Sequence, residues 1–266
     1  MATRSKTTRN AGARSKRPSH RRASTPAAVP RVQPAATTGW PELKLEIVRR
    51  YAAAYSTILS RQAGLAHYWI DGFAGPDVRV PKRAREFAPG SPLNALLVTP
   101  PFRHHYLIDL DGERVESLRA AVGKRDDVTL LEGDCNRLLL EDVLPRVRQD
   151  DYRRALCVLD PPASHLDWRV IEMAGRLRTI DLFVTLPAGD VHGWLAEAPR
   201  DGAAPQAFAR RLREEARFAN VLEPLPLRDG AGRLAGHLCF ASRSDMANQV
   251  VEDIFARHRD GAARTR

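Results

Sequence analysis

The chain has 266 residues, 43% of them hydrophobic and 28% charged, with 42 Lys and Arg against 32 Asp and Glu for a formal net charge of +10. That length suffices for one generous domain or two small ones with a sizeable core. No apolar run approaches the roughly 18 residues of a membrane span, and three scattered cysteines, Cys135, Cys157 and Cys239, build neither a disulfide framework nor a four-thiolate zinc site.

The charge is unevenly placed. Nine of the 42 basic residues, from Arg4 to Arg31, lie within residues 1–38, where no acid occurs, so the remaining 33 nearly balance the 32 acidic groups. The same segment contains no Leu, Ile, Phe or Trp, so it has too little apolar surface to offset the entropy of ordering. It reads as a disordered basic tail, either a solubilising extension or an arm that attracts nucleic-acid phosphates. With no apolar face before Val29 it matches neither a transit peptide nor a secretory signal, and a reducing cytoplasmic setting without membrane association is the expectation.

Order begins at Trp40-Pro41, with Leu43, Ile47, Val48, Tyr51, Tyr55, Ile58 and Leu59 at three- and four-residue steps, which predicts an amphipathic helix over 41–62. Ala66 to Asp71 reads as a buried strand, residues 76–90 as a long loop, and Ser91-Pro92 as the start of a short helix through Leu97. Strands at 104–109, 127–131, 155–160 and 180–186 then alternate with helices at 111–123, 135–148 and 167–178. Such alternation predicts an α/β, mostly parallel, doubly wound sheet. A helical stretch follows over 190–220. Strands near 222–227 and 233–242, joined by Asp229-Gly230-Ala231-Gly232, predict an antiparallel pair, and a helix over 244–258 closes the chain.

Ligands of such sheets bind beyond the carboxyl ends of the strands. The first strand runs into Asp71-Gly72-Phe73-Ala74-Gly75, the second ends at Asp109, the third is followed by Gly133-Asp134-Cys135, and the fourth by Asp160-Pro161-Pro162. An acid after the second strand can accept two ribose hydroxyls, and one after the third an adenine amino proton. Any single aspartate at such a place is equally a turn former or a helix cap, and Asp134 can simply start the helix at 135; the ordered recurrence of four is what points to a nucleoside cofactor. Gly-x-Gly-x-x-Gly is absent, so the wide Gly72–Gly75 bend suits an amino-acid moiety better than a pyrophosphate, favouring S-adenosylmethionine over NAD.

The chain resembles the three-Cys-motif partner proteins, a bacterial family related to S-adenosylmethionine-dependent methyltransferases. The resemblance lies in Leu43 to Tyr51, Ile70 to Pro76, Gly90 to Leu96, Leu107 to Asp111 with Glu113-Arg114, Leu159-Asp160-Pro161, and Gly236 to Ser242. It covers roughly residues 40–258; the three cysteines of the name belong to the partner protein. It implies a Rossmann-like class I methyltransferase fold over 39–260, with a short helical insertion about 190–220. It further implies S-adenosylmethionine as cofactor, with Asp71, Gly72, Phe73 and Gly75 near its methionine part, Asp109 on the ribose, and Asp134 with Cys135 at the adenine. Asp160, Pro161 and Pro162 would face methyl transfer, and a three-Cys-motif protein would be the partner.

Asp160-Pro161-Pro162 also resembles the Asp-Pro-Pro-aromatic motif of amino-group methyltransferases, but residue 163 is alanine, so a flipped base would lack a stacking partner. Trp168 is the substitute to weigh against a plain packing role. His104 and His105 sit at a strand start, opposite the ligand edge, and read as packing residues; His165, Asp167, Asp190 and His192 lie nearer the right edge, where a base can reach substrate. Cys157 falls inside a buried strand and should be inert. No metal site is expected, and hydrolase and nucleotide-triphosphatase motifs are missing. The rival to an enzyme is a methyltransferase fold kept as a non-catalytic module that its tail tethers to nucleic acid.

Overall fold

The computed structural model describes Met1 and residues 39–75, 91–162, 165–188 and 204–263; the tail, the 76–90 loop, Ala163 and the 190–203 part of the insertion lie outside them. Helices are α1 (Trp40–Leu59), α2 (Ser91–Leu96), α3 (Gly112–Val122), α4 (Cys135–Leu138), α5 (Trp168–Leu177), α6 (Ala204–Glu214) and α7 (Asp245–Ala263). Strands are β1 (Ala66–Asp71), β2 (His104–Asp109), β3 (Val128–Glu132), β4 (Arg153–Leu159), β5 (Ile180–Pro187), β6 (Asn220–Val221), β7 (Leu225–Arg228) and β8 (Leu234–Ser242).

The strands form one sheet in the order β3-β2-β1-β4-β5-β8-β6, with β7 also pairing β8. β1 to β5 are parallel; β8 runs antiparallel to β5, β6 and β7. Because β1 lies between β2 and β4, the strand order reverses there, and in sheets of this kind ligands bind beyond the carboxyl ends of the strands at such a point.

Adjacent residues along each strand serve opposite faces, which is why these strands are apolar throughout rather than alternating. Trp69, Leu107, Leu156, Val158 and Phe183 pack beneath α1 and α7, against Ile47, Tyr51, Val251 and Phe255. Their neighbours Ile70, Ile108, Cys157, Leu159 and Val184 pack on the other side against Leu138, Val170, Ile171 and Phe208. Cys157 is thus fully buried, and desolvation pushes its thiol up. That leaves the thiol inert.

Two predicted elements are corrected. The helix over 135–148 lasts one turn, then widens to a π turn over Leu139–Val143 and tightens to a 3-10 turn over Leu144–Arg146. Pro145 has no N–H to donate and its ring clashes with the carbonyl four residues back, so a regular helix cannot continue through it. The strand near 222–227 is split into β6 and β7, with Pro224 in the gap and Pro226 on the exposed edge of β7. A sheet edge is where a strand tolerates proline.

The predicted helical stretch ends at Glu214. The chain then turns through Arg217 (φ 63°) and buries Ala216 and Phe218 behind α5. A Cβ at Gly175 of α5 would lie 1.9 Å from the Ala216 carbonyl oxygen. Gly175→Ala should therefore lower urea-unfolding stability by about 2–3 kcal/mol. Gly230→Ala, where nothing lies within 4 Å, should stay within about 0.5 kcal/mol of the parent.

The histidines at the strand starts are packing residues. His67 Nε2–H donates to Ser56 Oγ (2.8 Å), whose own hydrogen goes to the Pro100 carbonyl. His104 Nε2 meets Thr129 Oγ1 at 2.8 Å, and buried His105 Nδ1 lies 3.3 Å from the Asp127 carbonyl. Desolvation holds His67 and His105 below the ordinary imidazole value. The unfolded chain therefore takes up protons first, so their contribution is full above about pH 6.5 and is lost as pH falls through their lowered values. Melting temperatures should drop between about pH 7 and pH 5, less steeply for His67→Gln/His105→Gln, and equal slopes would refute this assignment.

Candidate active site

β1 ends at Asp71, and the turn that follows closes over the strand end. Gly72 N–H donates to the Val158 carbonyl of β4 (3.1 Å), and two residues later Ala74 N–H donates to the Ile108 carbonyl of β2 (2.8 Å). The crossing is tight. A Cβ on Gly72 would lie 2.7 Å from Leu159 Cδ2, and one on Gly75 would lie 2.3 Å from Asp109 Oδ2. Only glycine lets the main chain approach that carboxylate.

Asp71 is 1% exposed and Asp109 8% exposed, so both need donors close by. Asp71 Oδ1 accepts Phe73 N–H at 3.2 Å, and Asp109 Oδ1 accepts Asp111 N–H at 2.9 Å. Among the described residues no donor reaches Asp109 Oδ2. The Asp109 carbonyl accepts Gly133 N–H at 3.0 Å, which ties in the end of β3. Gly133 has φ 142°, a region that favours glycine. Gly75 and Gly133 are thus brought against Asp109, while Asp71 and Gly72 stand at the end of the neighbouring strand, their bonds going to Phe73 and to Val158 of β4.

Other sequence-predicted residues take different places. Asp134 is exposed and its Oδ1 caps α4 by accepting Arg137 N–H (2.9 Å), the local role its position allows. The Cys135 side chain points into the core, where burial and then the Asp134 charge push its thiol up to about 12. Phe73 is half-buried against the same core. Pro161 is buried and Pro162 exposed. Trp168 packs beneath the Arg211 guanidinium (3.8 Å) and edge-on to Phe208 (5.9 Å), so its ring belongs to the α5–α6 contact. Asp167 accepts Arg169 N–H as the cap of α5, and His165 lends its carbonyl to Asn136 Nδ2 (2.8 Å). Asp190 and His192 lie outside the described residues.

Three residues at this edge escaped the sequence reading. Lys44 of α1 is buried, with its side chain 8% exposed; its ammonium pairs with the Asp160 carboxylate, itself 36% exposed, and lies 5.4 Å from the Trp40 ring centroid. Its signal was legible: position 44 continues the apolar stripe of Ile47, Val48, Tyr51 and Tyr55, and a lysine on a core-facing stripe needs an anion. Asn136 also accepts Asp167 N–H (2.7 Å) and so latches the chain after β4 to α4. Leu110, directly after Asp109, is 72% exposed, an apolar surface left open beside a buried carboxylate.

These features fit an adenosyl cofactor. The rim offers a glycine turn with no room for a Cβ, a buried carboxylate with one open oxygen, and an exposed leucine beside it. Among the described residues no group of three or more His, Cys, Asp or Glu side chains is placed to hold a metal, and no helix is long and apolar enough to cross a membrane.

No family model matches the chain, and no curated protein matches it in sequence. Solved structures do match its fold. It is similar to LPL1258 of Legionella pneumophila strain Philadelphia 1, assigned to family model DUF519, at 14% identity and TM-score 0.52, over 81% of this chain and 91% of that one. The fold is α/β and Rossmann-like, a mostly parallel sheet with antiparallel strands at one end. Lower-scoring likenesses are the CMeT domain of the citrinin polyketide synthase (12% identity, TM-score 0.42, 74% of this chain and 52% of that one) and the 23S rRNA methyltransferase ErmE (10%, 0.42, 75% and 68%).

The Lys44–Asp160 pair joins α1 to the end of β4, and its worth is measurable. A double-mutant cycle with Lys44→Met and Asp160→Asn, read by urea unfolding, should give a coupling of about 1 kcal/mol, reduced from a buried pair's value by the exposure of Asp160. A coupling near zero would mean that the pair does not anchor α1.

Proposed function

We propose that the chain is an S-adenosylmethionine-dependent methyltransferase of the three-Cys-motif partner type, with the methyl acceptor approaching Asp160. The single observation that carries this reading is the contact of Gly75 with the Asp109 carboxylate at the strand-order reversal, a cradle that any side chain at 75 would fill. When bound, the cofactor supplies a methyl group already activated on a sulfonium, so orientation rather than acid-base work is what the chain has to provide.

Each residue then has a defined task. Asp109 Oδ2 would accept from ribose hydroxyls, and the Gly72–Gly75 main chain would lie along the methionine part, with Asp71 holding that turn from within through Phe73 N–H. Leu110 would cover one face of the adenine. The oxygen of Asp134 not used in capping would accept the adenine amino group, with the Cys135 main chain beside it while its thiol stays in the core. Asp160 would orient the acceptor, Lys44 holding its carboxylate in place, and Pro161 and Pro162 would stiffen that stretch of chain.

Titration calorimetry of the full chain with S-adenosylhomocysteine and S-adenosylmethionine tests this. Saturable binding is expected, weakened at least about tenfold in Asp109→Ala and abolished in Gly75→Val, in line with removal of a charge-assisted hydrogen bond. Silence of the parent chain at about millimolar ligand, or equal affinity in Asp109→Ala, would overturn it.

One observation favours a second reading. The Asp160 carboxylate is already engaged by Lys44, and Ala163 supplies no ring to stack on a base, as suits a methyltransferase fold kept as a non-catalytic module that its basic tail tethers to nucleic acid. If tritiated methyl is never transferred from a bound cofactor to nucleic acid or protein, while removal of residues 1–38 abolishes binding to RNA or DNA, that reading replaces the first.

A further inference from the structure

The opposite edge of the sheet, where β4 and β5 begin, holds a cavity of about 380 Å³ between α1 and the start of α7. That volume is within the range of small-molecule sites. Register pairs Leu156 with Asp181, so Arg154, two residues before Leu156, shares a face with Asp181 beneath the cavity. Arg178, which follows α5, and Arg243, which follows β8, complete its charged wall.

The cavity is cationic in effect. Asp181 is half-buried, with Tyr51 Oη–H donating to Oδ2 and Ser242 Oγ–H to Oδ1, each at 2.5 Å. Two neutral hydroxyls thus satisfy the carboxyl, and its single charge against three guanidiniums leaves the lining net positive. Arg154 Nη1 donates to the Arg178 carbonyl (2.8 Å). Among the described residues none of Arg154, Arg178 and Arg243 forms an ion pair. Tyr55 lines the same cavity, and its buried hydroxyl has no hydrogen-bond partner among the described residues. Buried hydroxyls are ordinarily satisfied, so this one calls for an acceptor.

We infer that this cavity binds a small organic oxyanion, a carboxylate or a phosphate ester with an apolar body. Its charge is met by the guanidiniums of Arg154, Arg178 and Arg243, planar donors suited to both kinds of oxyanion. The Tyr55 hydroxyl donates to one of its oxygens. The apolar body lies on Ile58, Leu59 and Met246, of which Met246 is otherwise exposed to water. A sulfonium is repelled by three guanidiniums, and the cavity is at the amino ends of the strands, so this site is separate from the rim and does not depend on the function proposed for it.

Titration calorimetry of the full chain with phenyl phosphate, benzoate and phenol, at constant ionic strength, tests the assignment. At least one anion should bind saturably, and which one identifies the class. Phenol should bind at least about tenfold more weakly, and excess S-adenosylhomocysteine should not compete. Arg178→Asn/Arg243→Gln should lose at least about tenfold in affinity; asparagine tolerates the left-handed backbone at 178 (φ 63°), and Arg243→Gln alone serves if the pair impairs folding. The inference is overturned if neither anion saturates by about 5 mM, if phenol binds equally well, or if the folded variants bind like the parent.

Discussion

A carboxylate taken out of water must find hydrogen-bond donors within reach, and at the ends of β1 and β2 those donors are main-chain N–H groups two residues further along the chain. Asp71 is held by Phe73 N–H and Asp109 by Asp111 N–H. Each bond forces the chain to bend back over its own strand. Bending at β1 directs the glycine turn from β4 across to β2, where Gly75 meets the Asp109 carboxylate; bending at β2 starts α3. The Asp109 carbonyl then fixes the end of β3 through Gly133 N–H. Three strand ends are thereby set by two buried acids, and the geometry of the rim follows from them.

α1 lies across the same sheet and is held at both ends by polar ties inside an otherwise apolar interface. Near its start Lys44 meets Asp160; further along, Tyr51 donates to Asp181, and Ser56 bridges His67 and the Pro100 carbonyl. Apolar contacts alone tolerate small rotations of a helix, whereas three polar ties on three different strands or loops do not. This helix therefore borders both the carboxylate rim and the arginine-lined cavity. Its two ends serve opposite edges of one sheet.

Most elements were legible from periodicity and strand-end punctuation: the apolar stripe of the first helix, the apolar strands, and Asp134 as the start of α4, whereas the capping of α3 by Asp111 and of α5 by Asp167 was seen only in the structure. The errors came where one proline outweighed a good pattern, at Pro145 and Pro224. At the rim, sequence order put the four aspartates at strand ends, but not which are buried. Asp71 and Asp109 are enclosed by neighbouring strands, while Asp134 at the same edge is exposed and acts as a cap.

The sequence by itself determined the alternation of strands and helices, the glycine bend after β1, and the row of acids, because each is a local matter of period, turn chemistry and chain direction. Only the tertiary structure decided that Gly75 meets Asp109, that Lys44 meets Asp160 across 116 residues, and that three arginines from separate segments share one cavity. Those contacts depend on strand order and on the seating of α1. A one-dimensional pattern carries no information about which of several equally acidic or basic residues will be brought face to face when the sheet assembles.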